Sequence, residues 1–318
     1  LPDDLLDCYR FAEKATQAFQ GKVTAWEFWN EEDIQFCMES AWDYAAAMKA
    51  AYLGFKAGNR KIPVALGSFS NPRLPNYCHV ILQNGVRDYF DIFNVHIYEA
   101  LKDYPELMAG ICKYQEQHQF PERPLWLTEN GCRMEGFGAS ESGKPGVKAH
   151  SPEQELVVAE FLAKSMMTLQ AMGAKRNFFF SLIPHREDEG RKDWGLLRLD
   201  FTVKPAYAAF VNMKHQLDHA QVAGTFSPAE GVQAIVYSQP DGSQTLVYWS
   251  LSEIDKGENR YFNNGHPFGD LAERPFSISV PDATFCGTDV FGTPFEQKAA
   301  GGVLQLKATR MPAYLNGL

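Results

Sequence analysis

The segment Trp26-Glu27-Phe28-Trp29-Asn30-Glu31 is an apolar, aromatic run that ends in an amide and a carboxylate. A second run of the same kind, Leu125-Trp126-Leu127-Thr128-Glu129, also ends in a carboxylate. Short, continuous apolar runs are typical of buried strands in a parallel sheet. We therefore predict two strands whose carboxyl ends carry Glu31 and Glu129.

Helices and strands alternate on both sides of these two runs. Helices are predicted at residues 3–20, 36–57, 75–87, 104–118, 151–172 and 204–219, and strands at 23–29, 62–67, 90–98, 125–128 and 177–183. Ser151-Pro152-Glu153-Gln154 is a strong helix start, because it offers a capping serine, a proline in the first turn and a glutamine three residues after the cap. The alternation predicts a parallel sheet whose strands are joined by crossover helices.

The pattern changes after about residue 222 to short strands without helices between them. These strands are predicted at residues 232–237, 244–249, 276–280, 288–291 and 303–306, with a hairpin signal at Pro240-Asp241-Gly242. We therefore expect an α/β domain at residues 1–221, followed by an all-β, sandwich-like accessory domain at residues 222–318.

The composition excludes several classes of protein. The 318 residues are 45% hydrophobic and 22% charged, which suits a globular protein of about two domains and excludes a disordered chain. The formal charge of −9, without Lys/Arg clusters, argues against nucleic-acid binding, and the apolar runs are too short for a membrane helix. Six scattered cysteines without a C-x-x-C pair indicate neither a disulfide framework nor a zinc site, and we expect no metal and no cofactor.

Glu31 and Glu129 fall at the ends of the first and fourth predicted strands. In a parallel αβ barrel the catalytic groups lie at the carboxyl ends of the strands, where these two side chains could converge. Hydrolysis of a glycosidic bond requires two such carboxyl groups, one protonated and one ionised. The alternative is that each glutamate begins a helix, where the helix dipole favours a carboxylate. Their pairing at matching strand ends favours the catalytic interpretation.

Several short motifs, in this order and spacing, resemble those of the clan A glycoside hydrolases, whose catalytic domain is a (β/α)8 TIM barrel. Asn30-Glu31 resembles their fourth-strand signature, His96-Ile97-Tyr98 their sixth-strand motif and Thr128-Glu129 their seventh-strand nucleophile site. Residues 194–207 are similar to the stretch after their eighth strand. The all-β module and the tail at residues 311–315 resemble, more loosely, the β-xylosidase/α-iduronidase family.

The resemblance implies a role for each matched residue. Glu31 would be the general acid/base and Glu129 the nucleophile of a retaining double displacement. Asn30 would hydrogen-bond the sugar hydroxyl next to the anomeric carbon, Tyr98 would donate to Glu129, and His96 would line the pocket. Taken without the resemblance, the tyrosine and the histidine could equally be core residues.

The substrate is expected to be a poly- or oligosaccharide whose sugar the sequence does not identify. Phe180 and its neighbours stand where many related enzymes carry a tryptophan platform, so either Phe180 stacks on the sugar or that subsite is reshaped. Retention of configuration requires carboxyl groups about 5–5.5 Å apart, against ~6.5–9.5 Å for inversion.

The resemblance aligns this chain with strands four to eight of the barrel, so the expected fold is a partial (β/α)8 barrel. A partial barrel cannot close by itself, and its open edges and apolar interior favour association. We expect the remaining strands from a preceding segment, another chain or a second copy. Two alternatives stay open: a non-catalytic carbohydrate-binding protein, and a structural half-barrel subunit that needs a partner. Related enzymes are often exported, which favours a secreted or periplasmic location.

Overall fold

The structure, a computed structural model, describes residues 1–132, 134–136, 138, 148–187, 192–257 and 272–318. Its helices are α1 (Leu5–Ala18), α2 (Ala41–Gly58), α3 (Asn76–Ile81), α4 (Tyr104–Gln117), α5 (Pro152–Ala171), α6 (Pro205–Gln216) and α7 (Glu253–Lys256). Its strands are β1 (Trp26–Glu27), β2 (Val64–Ala65), β3 (Phe93–Ile97), β4 (Leu125–Asn130), β5 (Met134–Glu135), β6 (Arg176–Phe179), β7 (Arg186–Glu187), β8 (Lys192–Asp193), β9 (Gln221–Ala229), β10 (Val232–Ser238), β11 (Gln244–Ser250), β12 (Arg274–Ser279), β13 (Thr284–Thr288), β14 (Pro294–Lys298), β15 (Val303–Ala308) and β16 (Ala313–Asn316).

Contacts divide the chain into two compact units. The first contains Leu1–Tyr98, Tyr104–Asn130 and Met172–Phe178. The second contains Glu99–Asp103, Gly131–Ala171 and Phe179–Leu318. The boundary at residues 221 and 222 between a barrel portion and an accessory domain stays a prediction.

Short parallel strands form the centre of the first unit. β1 pairs in parallel with β2, β3 pairs in parallel with β4, and β6 lies beside β4. Parallel bridges from Ala65 to Ile92 and from Phe69 to Val95 connect β2 to β3. The order of the strands in space therefore follows their order in the chain, with α2, α3 and α4 between successive strands. This is the mixed α/β alternation that the sequence predicts.

Aromatic packing holds these strands against their helices. Trp26 of β1 stacks on Phe55 of α2 with ring centroids 5.3 Å apart, and Phe93 of β3 stacks on Tyr114 of α4 at 5.5 Å. Helix α2 also lies directly on α1, because a Cβ at Gly54 would overlap the α1 backbone. These contacts fix β1 against α2 and β3 against α4.

The second unit contains the helices α5 and α6 and the antiparallel strands after residue 220. Six strands form one antiparallel sheet in the order β14-β13-β16-β11-β10-β9, and β12 pairs antiparallel with β15. Tyr248 of β11 packs edge-on against Phe276 of β12, with ring centroids 5.1 Å apart. Buried residues of both sheets share this core, among them Val232, Ala234, Leu246, Phe285, Leu304 and Leu306. Among the described residues after residue 220, the only helix is the short α7, and the other regular elements are strands.

The strand predicted at residues 288–291 is wrong in position, because most of this segment is the turn between β13 and β14. The Asp289 carboxylate accepts hydrogen bonds from the backbone N–H groups of Phe291 (2.9 Å) and Thr293 (2.8 Å). Gly292 adopts a φ of +92° in the same turn. An aspartate that binds its own backbone in this way replaces the ladder hydrogen bonds of a strand.

A buried ion network lies in the second unit. Lys164 of α5 is fully buried, and its Nζ donates to Glu160 Oε1 (2.8 Å) and Asp255 Oδ2 (2.6 Å). Glu160 Oε2 accepts from Arg310 Nε over 2.7 Å. Every charge in the network therefore has a partner, as buried ionic groups require.

Within the described residues, no helix combines the length and the apolarity that a bilayer span needs. The six cysteines are unpaired, with Cys112 and Cys286 exposed and the other four buried.

Candidate active site

Two carboxylates and a histidine meet at the carboxyl ends of β1, β3 and β4. One carboxylate oxygen each from Glu31 and Glu129 and one ring nitrogen of His96 lie within 4.8 Å of one another. The His96 side chain is fully buried, whereas the side chains of Glu31 and Glu129 are 13% and 22% exposed. Both carboxylates are therefore accessible to a ligand from one side and held from the other.

Strand β3 supplies the groups that hold the carboxylates. Residues two apart in a strand point to the same face, and this places Asn94, His96 and Tyr98 together. His96 Nδ1 lies 2.8 Å from Glu31 Oε1 and 3.4 Å from Glu129 Oε2. The Tyr98 hydroxyl donates to Glu129 Oε2 over 2.6 Å. Tyr98 and His96 are thus polar partners of the carboxylates, rather than only core side chains.

An irregularity in β4 allows two consecutive residues to contact β3. Asn94 is paired with Trp126, but His96 is paired with Glu129, so β4 contains one extra residue at this point. A bulge of this kind redirects a side chain that a regular strand would place on the opposite face. As a result, Thr128 bonds to Asn94 while Glu129 bonds to Tyr98.

The backbone after β1 is left-handed at two positions. Trp29 has a φ of +75° and Glu31 a φ of +48°, a region that side chains with a Cβ disfavour. Asn30 lies between them and is exposed, with its Oδ1 3.5 Å from Ser68 Oγ. The chain therefore leaves the strand in a tight turn that presents Asn30 and Glu31 together.

A polar layer lies beneath the carboxylate pair. Thr128 Oγ1 donates to Glu27 Oε1 (3.1 Å), accepts from Asn94 Nδ2 (2.7 Å) and lies 3.3 Å from His96 Nε2. Burial raises the pKa of the Glu27 carboxyl, while the hydrogen bonds from Ser68 and Thr128 and the charge of His96 act in the opposite direction.

The residue after Glu31 is a buried acid. Glu32 is fully buried, and neither of its carboxyl oxygens has a hydrogen-bond partner among the described residues. Burial raises the pKa of Glu32 well above its usual value, with a smaller contribution from the charges of Asp33 and Glu27. The Tyr44 hydroxyl beside it donates to the Phe28 carbonyl over 3.1 Å. Burial therefore favours the neutral, protonated form of Glu32 in the folded chain.

The Glu31, His96 and Glu129 atoms are also close enough to ligate a metal ion. The 2.8 Å contact between His96 Nδ1 and Glu31 Oε1 has the length of a hydrogen bond, which accounts for their proximity. We assign no metal ligand here.

Phe180 belongs to the second unit and is half-buried. Its ring packs edge-on against His185 (5.2 Å) and Trp194 (5.7 Å), measured between ring centroids. Its role as a sugar platform stays a prediction.

The sequence identified four of the residues that meet here, Glu31, His96, Tyr98 and Glu129, and it placed Asn30 next to them. It did not single out Glu27, Thr128 and Asn94, which also take part in the polar contacts around this group. The alternation Asn94-x-His96-x-Tyr98 was a usable signal, since a predicted strand places all three side chains on one face. Nothing in the sequence indicates the extra residue in β4.

The sequence matches no protein-family model and no curated protein. The structure, however, is similar to a family 39 glycoside hydrolase from the gut symbiont Bacteroides cellulosilyticus WH2, with a TM-score of 0.70 and 17% identity over 100% of this chain and 63% of that one. It is also similar to a glucosidase from Croceicoccus marinus, with a TM-score of 0.69 and 13% identity over 99% and 74% of the two chains. A third similar structure is the GH51 arabinofuranosidase from Xanthomonas axonopodis pv. citri, with a TM-score of 0.63 and 10% identity over 99% and 73%.

These comparisons establish the fold, which is that of the clan A glycoside hydrolases, as the sequence motifs predicted. The chain spans 63% of the length of the family 39 enzyme. Activity, substrate and partners are therefore proposals.

Proposed function

We propose that Glu31 and Glu129 are the acid/base and the nucleophile of a retaining glycoside hydrolase that cleaves a poly- or oligosaccharide. The observation that carries the proposal is the spacing of their carboxylate oxygens, which lie within 4.8 Å of each other. Retaining enzymes hold their two carboxyl groups about 5–5.5 Å apart, whereas inverting enzymes need ~6.5–9.5 Å to admit a water molecule. This spacing of the two carboxylates favours a mechanism that retains the anomeric configuration.

The reaction has two displacements. In the first, the Glu129 carboxylate attacks the anomeric carbon while Glu31 gives its proton to the departing glycosidic oxygen, which leaves a glycosyl ester on Glu129. In the second, the Glu31 carboxylate takes a proton from a water molecule whose oxygen attacks the anomeric carbon and releases Glu129. The hydrogen bond from Tyr98 supports the nucleophilic role, because it orients the Glu129 carboxylate.

The remaining predicted residues complete the binding site in this proposal. Asn30, exposed next to Glu31, contacts the sugar hydroxyl beside the anomeric carbon. His96 contacts both carboxylates from the buried side.

We also propose that the parallel strands are the fourth to eighth strands of a (β/α)8 barrel and that further strands pair beside β1. Among the described strands, β1 pairs with β2 alone. Large apolar side chains of the first unit are exposed, including Phe11 (74%), Met38 (84%) and Trp42 (62%). Apolar surface of this kind favours burial against additional elements, from the same polypeptide, another chain or a second copy. Light scattering tests this for the 318-residue chain, since a stable, monodisperse monomer would contradict it.

Activity is tested with a panel of aryl glycosides that covers both anomers. The Glu31→Ala variant should lose about 10²–10⁴-fold in turnover, the usual contribution of a general acid/base. Azide should restore turnover by attacking the glycosyl ester, and the glycosyl azide should keep the anomeric configuration of the substrate.

The Glu106→Gln variant is the matched control, because Glu106 is an exposed glutamate of α4 in the same unit. It should behave like the unmodified chain. Unchanged turnover in Glu129→Gln would contradict the proposal and would favour a non-catalytic carbohydrate-binding protein.

A further inference from the structure

The hydrogen bonds beneath the carboxylate pair assign a role to a residue that the reaction itself does not use. We propose that Glu27 is a positioning residue which, through Thr128, fixes Nε2 as a protonated nitrogen of His96. The inference rests on the proposed function, because it concerns the proton that Glu31 needs as general acid.

The orientation of Asn94 is the first step. The backbone N–H of Thr128 can only donate, and it donates to the side-chain oxygen of Asn94 over 3.1 Å. The amide nitrogen of Asn94 must therefore face the other way, where it donates to Thr128 Oγ1 over 2.7 Å. This contact uses one lone pair of the threonine hydroxyl.

The hydroxyl of Thr128 has one hydrogen and one lone pair left. Its two further neighbours are Glu27 Oε1 at 3.1 Å and His96 Nε2 at 3.3 Å. An ionised carboxylate can only accept, so the threonine hydrogen is directed to Glu27. The remaining lone pair then accepts from His96, and this requires a hydrogen on Nε2.

The consequence appears on the other side of the imidazole ring. His96 Nδ1 faces Glu31 Oε1 at 2.8 Å, a distance that requires a hydrogen between the two atoms. Because Nε2 already carries the hydrogen of a neutral ring, the hydrogen in this contact is an additional one. It belongs either to a protonated Glu31 or to an imidazolium beside an ionised Glu31. Without it, two lone pairs would face each other, so the contact retains the proton that a general acid donates.

If Glu27 did not accept from Thr128, the opposite arrangement would follow. The threonine hydrogen could point to Nε2, and the neutral ring would then carry its hydrogen on Nδ1. That hydrogen would satisfy an ionised Glu31, and the additional proton would no longer be required. Glu27 thereby decides which nitrogen of the neutral ring carries its hydrogen, and whether the contact with Glu31 requires an additional proton.

The charged and titratable groups around His96 come from three strands and the loop after β1. They are Glu27, Glu31, Tyr98 and Glu129. Burial raises the pKa of Glu27, but the hydrogen bonds from Ser68 and Thr128 oppose that shift. At low pH a protonated Glu27 can donate to Thr128, which releases the threonine hydrogen towards Nε2.

Nitrogen–proton correlation NMR of the His96 ring tests the inference without any need for turnover. In the unmodified chain we expect a hydrogen on Nε2. In Thr128→Val we expect the hydrogen of the neutral ring to move to Nδ1, whereas Thr128→Ser should keep it on Nε2. A neutral ring with its hydrogen on Nδ1 in the unmodified chain would overturn the inference, even if no variant folds. An unchanged ring in a folded Thr128→Val would overturn it as well.

The pH dependence of kcat/KM provides a second measurement. In Thr128→Val and in Glu27→Leu, the alkaline limb of the pH profile of kcat/KM should move to lower pH by about one unit. The reason is that the contact between His96 and Glu31 no longer requires the additional proton. Thr128→Ser and Glu27→Gln, which keep the hydroxyl and the acceptor oxygen, should retain the position of the limb. An unmoved limb in both Thr128→Val and Glu27→Leu would overturn the inference. If the unmodified chain cleaves no aryl glycoside, the proposed function fails, and the NMR result still decides the role of Glu27.

Discussion

Tyr98 donates to Glu129 Oε2 over 2.6 Å, and His96 Nδ1 approaches the same oxygen to 3.4 Å. Both contacts come from one strand, β3 with the residue that follows it, while Glu129 belongs to the neighbouring strand. The orientation of Glu129 therefore depends on the register of these two strands. A short hydrogen bond to a charged oxygen is also stronger than a neutral one.

Replacing Tyr98 by phenylalanine should lower kcat by about 10–100-fold, because hydrogen bonds to charged groups contribute about 1.5–3 kcal/mol. KM should change little, since the hydroxyl bonds to the nucleophile. Steady-state kinetics on the best aryl glycoside measure both constants. Tyr89→Phe is the control, because Tyr89 packs against Tyr52 away from the carboxylates. An unchanged kcat in Tyr98→Phe would show that this hydrogen bond has no catalytic effect.

Glu32 should make the stability of the first unit depend on pH. Its pKa is raised by burial in the folded chain, so unfolding releases a proton wherever the pH lies between the unfolded and the folded pKa. Below about pH 4.3, the pKa of glutamate in the unfolded chain, Glu32 is neutral in both states and the free energy of unfolding is not reduced. As the pH rises from there towards the pKa of Glu32 in the folded chain, the free energy of unfolding falls. Glu32→Gln cannot ionise and should avoid this loss.

Urea denaturation at several pH values measures the difference between the two chains. The free energy of unfolding of Glu32→Gln, relative to that of the unmodified chain, should increase from about pH 4 to pH 8. The exposed Glu106→Gln should show no such trend. A difference that stays constant with pH would mean that Glu32 is ionised in the folded chain.

Gly67 is a position in the first unit where we expect a single methyl group to be harmful. A Cβ there would overlap the Glu32 carboxyl, the Tyr44 hydroxyl and the Phe28 carbonyl. Gly67→Ala should therefore destabilise the fold by about 1–3 kcal/mol, the usual effect of overpacking. Gly110→Ala is the matched control, because no atom beyond the adjoining residues and backbone of its own helix lies within 4 Å of the added Cβ, and alanine favours the helix. Equal effects of the two substitutions on thermal unfolding would contradict the argument.

Lys164→Met should destabilise the second unit by about 3–5 kcal/mol, because it leaves the fully buried Glu160 with one cation fewer. Lys214→Met is the control, since the exposed Lys214 of α6 pairs with the exposed Asp218 at 3.5 Å and should contribute about 0–1 kcal/mol. Chemical denaturation compares the two variants. Similar denaturation midpoints for the two variants would indicate that the buried ion network contributes little to stability.

Local rules predicted the start of α5 and the presence of the two strands that carry Glu31 and Glu129, although not the residues at which those strands end. Ser151 Oγ accepts from the Gln154 N–H (3.3 Å), and Gln154 Oε1 accepts from the Ser151 N–H (2.9 Å), the reciprocal pair that the sequence indicated. The positions of Glu31 and Glu129 after apolar runs likewise follow from strand geometry. These features depend on neighbouring residues, which the sequence displays directly.

Features that depend on pairing between distant segments were not predictable. The extra residue in β4, which brings Thr128 and Glu129 to the same strand, appears only in the register with β3. The partner of Glu27 is separated from it by about a third of the chain, since Thr128 belongs to β4. Hydrophobic patterns report which side of a strand is buried, and they do not report such a register shift.

The left-handed backbone at Trp29 and Glu31 has a consequence for selection. A side chain in this region costs about 1–2 kcal/mol, which glycine does not incur. Glu31, the proposed general acid, therefore occupies a position where substitution by glycine should increase the thermal stability of the protein. A library of variants selected for thermal stability alone should enrich glycine at residues 29 and 31. The selected variants should be more thermostable and inactive. Directed evolution of this chain should consequently screen turnover at every round.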